Sequence, residues 1–166
     1  MPHPPTWEPL LPEDLPRLVD LAGRIHSALP ERVEIFTEKL ALFPDGARKL
    51  TDGAAFLGYA IAHPWTLFSI PALDGFLEQL PAHPDCLHAH DMVVAPAARG
   101  ASASAHCLAY WKEIALGLGL RAITGVSVYG TDAHWSRFGF RVVSRPDLPE
   151  KLAHYGSTAK YMVWTL

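Results

Sequence analysis

The most constraining stretch of this chain is Asp91-Met-Val-Val-Ala-Pro-Ala-Ala-Arg99-Gly100-Ala-Ser-Ala-Ser104, followed at once by a helical pattern. Apolar residues from Leu87 to Val94 read as a strand, Pro96 stops it, and the Arg-Gly turn opens the helix. A helix start leaves backbone N–H groups unpaired and carries a partial positive charge, so it can hold an anion. Arg99 stands where its guanidinium could grip the same anion in a fork. A strand edge feeding such a turn suits a long, thin ligand with a phosphate at one end.

The surrounding pattern predicts an α/β (α+β) chain. Leu15, Leu18, Val19, Ala22 and Ile25 recur at helical spacing, with Asp14 as the expected cap. A second helix is expected from Pro30 and Glu31 to the stop at Pro44-Asp45-Gly46, and Thr51-Asp52-Gly53 marks a hairpin between 47–50 and 55–62. The stretch Thr66–Cys86 is too long for a simple connection; its apolar residues point to an ordered lid with a short helix over Leu73–Leu80. The following helix should bury Leu108, Trp111, Ala115 and Leu118, and further strands are expected at 122–129, 141–144 and 159–166.

Several landmarks together carry a family resemblance. Val94, Pro96, Arg99 and Gly100 fall in place in the pattern Val-x-Pro-x-x-Arg-Gly-x-Gly-x-Gly/Ala. Downstream, Val126–Phe140 ends in an aromatic residue, three residues, then Gly139-Phe140. Leu42-Phe-Pro-Asp-Gly46, Gly58–Trp65 and the tail from Tyr155 to Met162 extend the likeness over nearly the whole chain. The chain resembles the GNAT (GCN5-related) N-acetyltransferases, in particular a bacterial subgroup with a His-Pro-Trp segment. The resemblance implies one domain over 1–166, with a mixed, mostly antiparallel central sheet flanked by helices. It also implies acetyl-CoA as co-substrate, held by Met92, Val93, Val94, Arg99, Gly100, Ala101, Ser102, Ala103, Ser104 and Trp135. Its acceptor would be a primary amine of a small molecule or peptide, and it leaves room for a homodimer. Ser102 and Ser104 stand where the family usually has Gly or Ala. In right-handed dihedrals serine costs little there; in left-handed dihedrals it costs about 1–2 kcal/mol.

On this reading, catalysis is mainly positioning of an amine against a thioester, with a backbone N–H near Val94 steadying the oxyanion. Asp91 leads the candidates for general base because it immediately precedes the thioester-binding segment; His90, His63 and Glu31 are alternatives. For the acid, the family commonly uses a Tyr four residues before Gly-Phe, but that position is Trp135, whose indole cannot supply a proton. Tyr129 and His134 are nearby substitutes. Glu31, Glu34, His63 and Trp65 are expected to form the acceptor pocket, through carboxylate charge and an aromatic face toward an ammonium.

Two rivals remain. One is a non-catalytic GNAT-fold protein that binds a ligand or partner, suggested by the altered loop and by Trp135. The other is a metal-dependent enzyme using Cys86, His88 and His90, which alternate along one strand with His83 nearby; it lacks an identifiable fourth ligand, so no metal is expected. A formal charge of −3 without a basic cluster argues against nucleic acid. Lys112 and Glu113 interrupt the most apolar stretch, arguing against a membrane span, and two cysteines imply no disulfide framework. With no signal peptide visible, the expected location is cytoplasmic.

Overall fold

The computed structural model describes residues 3–100 and 102–166. A seven-stranded sheet runs in the order β1-β2-β3-β4-β5-β7-β6. Its strands are β1 (Thr6–Pro9), β2 (Ala47–Thr51), β3 (Phe56–Trp65), β4 (Cys86–Val94), β5 (Ala122–Ser127), β6 (Arg141–Val142) and β7 (Lys160–Thr165). All neighbours pair antiparallel except β4 and β5. A parallel pair needs a crossover, and the helix α3 (Ala103–Gly117) supplies it. The expected mixed, mostly antiparallel sheet flanked by helices is the architecture observed.

The helices α1 (Leu15–Ile25) and α2 (Val33–Leu42) cover one face of the sheet. Leu15, Leu18 and Leu21 of α1 join Phe36 and Leu40 of α2 over Tyr59, Ile61 and Val93. On the other face α3 packs Cys107, Leu108, Trp111 and Ala115 against Ala60, Ala62, Leu87 and Ile123. Buried Trp111 also donates its indole N–H to the Gly46 carbonyl at 3.1 Å. Any side chain at Gly46 would collide with the carbonyl of Ala62, so only glycine lets this turn press onto β3. Two short helices, α4 (Asp132–Ser136) and α5 (Pro149–Leu152), complete the chain. Among the described residues no helix is long and apolar enough to cross a membrane.

Several expectations need correction. The strand β1 was not anticipated: its four residues are mostly exposed at the sheet edge and show no apolar alternation. The second helix begins at Val33, two residues after Glu31, because Arg32 is extended at φ −69°, ψ 152°. Leu118 lies past the end of α3 and is 53% exposed. No helix forms over Leu73–Leu80. Asp74 and Glu78 have φ of 55° and 68° there, which no right-handed helix accepts. The segment is instead pinned by carboxylates on α2 and just before it. Glu38 accepts the N–H groups of Leu77 and Glu78 at 2.6 and 2.9 Å, and Glu31 accepts that of Asp74 at 3.0 Å.

Asp14 also departs from its expected role, since its side chain does not cap α1. It accepts the Leu11 N–H at 2.9 Å and pairs with Lys49 Nζ at 2.9 Å, tying the start of α1 to β2. Its side chain is 7% exposed, whereas Asp20, paired with Arg24, is 71% exposed. Asp14→Ala should therefore cost about 1–3 kcal/mol, because it removes a mostly buried acceptor and leaves a part-buried backbone N–H and the Lys49 ammonium without their partner. Asp20→Ala should cost at most about 0.5 kcal/mol. Urea unfolding of the two variants checks the contrast, and equal losses would show that the buried pair adds nothing.

Candidate active site

The site begins with a fault in the ladder. Along β3 and β4, Ile61 pairs with Asp91 but the next residue, Ala62, pairs with Ala89, so His90 is the extra residue of a bulge. On the other edge, β4 pairs with β5 only from Cys86–Ala89 against Ala122–Gly125. Beyond that point the two strands part. Ala95 N–H donates to Leu57 O across β3. The alternation of an antiparallel ladder then turns the N–H groups of Val94 and Met92 the other way, into the gap. A cavity of about 630 Å³ fills this gap and continues to the start of α3.

At that end the chain is shaped for an anion. After a 3₁₀ turn at Pro96–Ala98, Arg99 is extended, Gly100 takes φ 86°, and Ser102 takes φ 59°, ψ 22° before α3 begins. The first turn of α3 has no acidic residue and no side-chain cap, so its leading N–H groups stay open toward the cavity. Trp7 anchors this turn by donating its indole N–H to Ala103 O at 2.8 Å. Arg99 Nε donates to Val94 O at 3.1 Å, which lays the exposed guanidinium beside the strand end. Ser104 sits inside the helix, whereas Ser102 occupies the left-handed region that favours glycine. Ala101 lies outside the described residues. Trp135 lines the opposite wall, packed on His134 at 4.8 Å between ring centroids and on Phe140 at 6.3 Å.

The other end of the cavity, under α1 and α2, is polar at its base. Because of the bulge, His90 and Asp91 both turn toward the α1–α2 side. Asp91 accepts the Tyr59 hydroxyl at 2.6 Å and the His26 Nε2–H at 3.0 Å, so both of its oxygens are engaged. His26 Nδ1 lies 3.4 Å from the Tyr129 hydroxyl. Burial works against a charged His26, but the hydrogen bond and charge of Asp91 outweigh it and raise the imidazole above its usual value. Burial pushes the Asp91 carboxyl up, yet the His26 bond and charge, with the Tyr59 hydroxyl, leave it lowered. Burial and the Asp91 charge raise the Tyr129 phenol, which keeps its proton near neutrality. Tyr129 holds φ 57°, an uncommon conformation for a non-glycine residue at a cavity wall.

A second pair lies beside the first. His90 Nε2 and Glu31 Oε1 are 2.8 Å apart, with side chains 2% and 7% exposed. Burial pushes Glu31 up, but the charge and hydrogen bond of His90 and the Asp74 N–H bring it below the usual carboxylate range.

The remaining expected site residues are placed elsewhere. Glu34 is exposed on α2, and Glu34, His63 and Trp65 are all absent from the cavity wall. His63 faces the α1–α2 layer in the middle of the sheet, wholly buried, and burial drives its imidazole down to about 3. Trp65 packs edge-on against it at 5.1 Å. The suggested metal set is engaged residue by residue. His88 Nδ1 bonds Thr124 at 3.0 Å, His90 bonds Glu31, and burial raises the Cys86 thiol to about 12. Among the described residues no three His, Cys, Asp or Glu side chains are grouped to hold a metal. His26 and Tyr155 were missed as cavity residues. His26 follows the last turn of α1 with no local motif, and its partner Asp91 is 65 positions away.

No protein-family model matches the chain, and no curated protein does. Solved structures do. Ard1 from Thermoplasma volcanium superposes with a TM-score of 0.74 at 10% identity, covering 98% of both chains. N-acetylglutamate synthase from Neisseria gonorrhoeae, solved with coenzyme A and N-acetyl-glutamate, gives 0.74 at 17% identity over 98% of this chain and 35% of its own. The NatC complex bound to Gag peptide and CoA gives 0.73 at 12% identity, covering 98% of both chains. The fold is therefore that of the GNAT acetyltransferases.

Ser102 provides a direct test of backbone strain at the start of α3. Ser102→Gly removes a left-handed Cβ and should stabilise the chain by about 1 kcal/mol, allowing for glycine's freer unfolded state. Urea denaturation reads the change; a destabilised variant would mean that the serine hydroxyl contributes more than the strain costs.

Proposed function

We propose that this chain moves an acetyl group from acetyl-CoA to a primary amine by direct attack in a ternary complex. The observation that supports this best is the set of groups around one gap. Two unpaired strand N–H groups, an open helix start and a carboxylate-held imidazole meet in a single cavity, within a fold whose solved neighbours include CoA complexes.

The chemistry follows from these groups. The Ala103 end of α3, with Gly100, Ser102 and Arg99, receives the pyrophosphate, and the Met92–Val94 edge receives the extended arm. Trp135 forms a packing wall beside that arm and takes no part in proton transfer. The amine nitrogen attacks the thioester carbonyl, a C–N bond forms and the C–S bond breaks. The Met92 and Val94 N–H groups face the oxygen on which negative charge develops. With Nε2–H donated to Asp91, His26 Nδ1 is left to accept the proton shed by the ammonium. Asp91 orients and strengthens that base; the proposal moves the base from Asp91, the first candidate from sequence, to the imidazole it holds. Tyr129, still protonated, can return a proton to the departing thiolate.

Calorimetric titration with CoA and release of free CoA thiol across a panel of amines test the reading. CoA binding without transfer to any amine would favour the non-catalytic rival. His26→Gln should lower turnover by about 10²–10⁴-fold with CoA affinity little changed. The acidic limb of kcat/KM should lie above the ordinary imidazole value of about 6.5. Asp91→Asn removes the charge that raises His26 and leaves burial unopposed, so this limb should move to lower pH. A limb that stays in place would assign the base to another group.

A further inference from the structure

We infer that the acceptor is a small primary amine with an apolar body and no carboxylate beside the amine, an inference that rests on the acetyltransferase reading. The acceptor end of the cavity is walled by Ile25, Leu29, Leu73, Val126, Val128 and the Tyr129 ring. At its base stand two carboxylates, Asp91 and Glu31, both held on the anionic side of their usual range by their neighbours. The basic groups there are imidazoles, and each is already bound by one of those carboxylates: His26 by Asp91, His90 by Glu31. An ammonium can use the remaining lone pairs of the two carboxylates. A substrate carboxylate would find no uncommitted cation on this part of the wall among the described residues and would face two like charges in a largely desolvated space.

The nearest longer basic side chains offer a substrate carboxylate no partner. Arg32 turns outward and is occupied by Asp74, through Nε to both carboxylate oxygens and a further bond to its carbonyl at 3.0 Å. The Lys39 ammonium on α2 has no hydrogen-bond partner among the described residues and its charge reaches Glu31, but the residue is 1% exposed and not part of the cavity wall, so a substrate group does not contact it. Arg99 stands at the opposite, phosphate-facing end.

The far side of the acceptor end is covered, which favours a compact molecule over a peptide chain. The 66–85 segment lies across it. That segment is fixed to the α2 end of the cavity by the Glu31 and Arg32 bonds to Asp74, and to the 149–155 segment by Tyr155, whose hydroxyl donates to Pro71 O at 2.6 Å. Leu73 and Tyr155, beside these ties, both line the cavity.

Four probes separate charge from bulk: phenethylamine, phenylalanine, phenylalaninamide and a five-residue peptide beginning with phenylalanine. Each is titrated calorimetrically into the intact chain with and without CoA, so the reading does not depend on turnover. Phenethylamine should bind most tightly and phenylalanine roughly 100-fold more weakly, since like-charge juxtaposition costs several kcal/mol. Phenylalaninamide, with the bulk but not the charge, should recover most of the loss, and the peptide should bind more weakly than the amide. Leu29→Lys places a cation on the wall and should narrow the gap between phenylalanine and phenethylamine. Equal or tighter binding of phenylalanine, a peptide that outbinds the amide, or no amine binding at all would each overturn the inference. The acetyltransferase reading is judged separately, by CoA thiol release with any amine: transfer to amino acids alone would retain that reading and reject this one.

Discussion

The one-residue bulge at His90 is the constraint on which the rest of the site depends. In an unbroken ladder His90 and Asp91 would point to opposite faces of the sheet. The extra residue lets both turn toward α1 and α2, where one meets Glu31 and the other meets His26 and Tyr59. A bulge also increases local twist. The parting of β4 from β5 just past Ala89 and Gly125 coincides with it. The same irregularity therefore accompanies three features: two carboxylate–imidazole pairs on one face, a strand edge with unpaired donors, and the space between β4 and β5 that a ligand arm could fill.

Such a gap would be unstable if its walls could close. The sheet is held open from both faces. On one side α3 is fixed by Trp111, whose indole reaches Gly46, and by Trp7, whose indole reaches Ala103. On the other side the 66–85 segment is bound to α2 through Glu38, to the residues just before α2 through Glu31, and to the 149–155 segment through Tyr155. The Glu31, Glu38 and Tyr155 ties satisfy backbone groups in partly buried or buried places, so closing the gap would require breaking bonds that water could replace only in part. Glu31 belongs to both systems: one oxygen holds the segment and the other holds His90. The order of that segment and the electrostatics of the acceptor end are thereby linked through a single carboxylate.

The sequence carries the frame of this structure far better than its chemistry, for physical reasons. Helical spacing in α1, the Asp52-Gly53 turn and the strand-to-helix passage at Arg99-Gly100 are local signals, and each element appears near its expected place. Residues 92–94, 98–100 and 102–104 come together at the cavity for the same reason: strand, turn and helix start are contiguous in the chain. The acceptor end is different. His26, Asp91, Tyr59 and Tyr129 meet across long separations in sequence, and no spacing rule identifies such a group. His63-Pro64-Trp65 misled because a strand end beside a long segment resembles a pocket wall. Strand alternation instead directs His63 into the packed layer under α2, where it stays neutral. The missing helix over 73–80 has a similar origin: its composition permits a helix, but the carboxylates of α2 draw the backbone N–H groups into a turn geometry no helix shares.

Asp91 and Ser102 show how differently the two ends of one cavity meet their demands. At the α3 end the cavity is lined by backbone donors in a fixed direction, and the chain accepts a left-handed serine to start α3 where it does. At the end under α1 and α2 the cavity meets charge, and both oxygens of a mostly buried carboxylate are committed to Tyr59 and His26. A carboxylate so committed is a poor proton acceptor, because every partner that stabilises its charge lowers its basicity. The stabilisation is not lost to the site: it reappears as a raised affinity of His26 for a proton, since the two groups share one hydrogen bond. Basicity is thus moved from the carboxylate to the imidazole, whose second nitrogen faces the Tyr129 hydroxyl at the cavity wall. A place on β4 therefore does not by itself identify a base: Asp91 lies in that strand, but its partners determine what it can do.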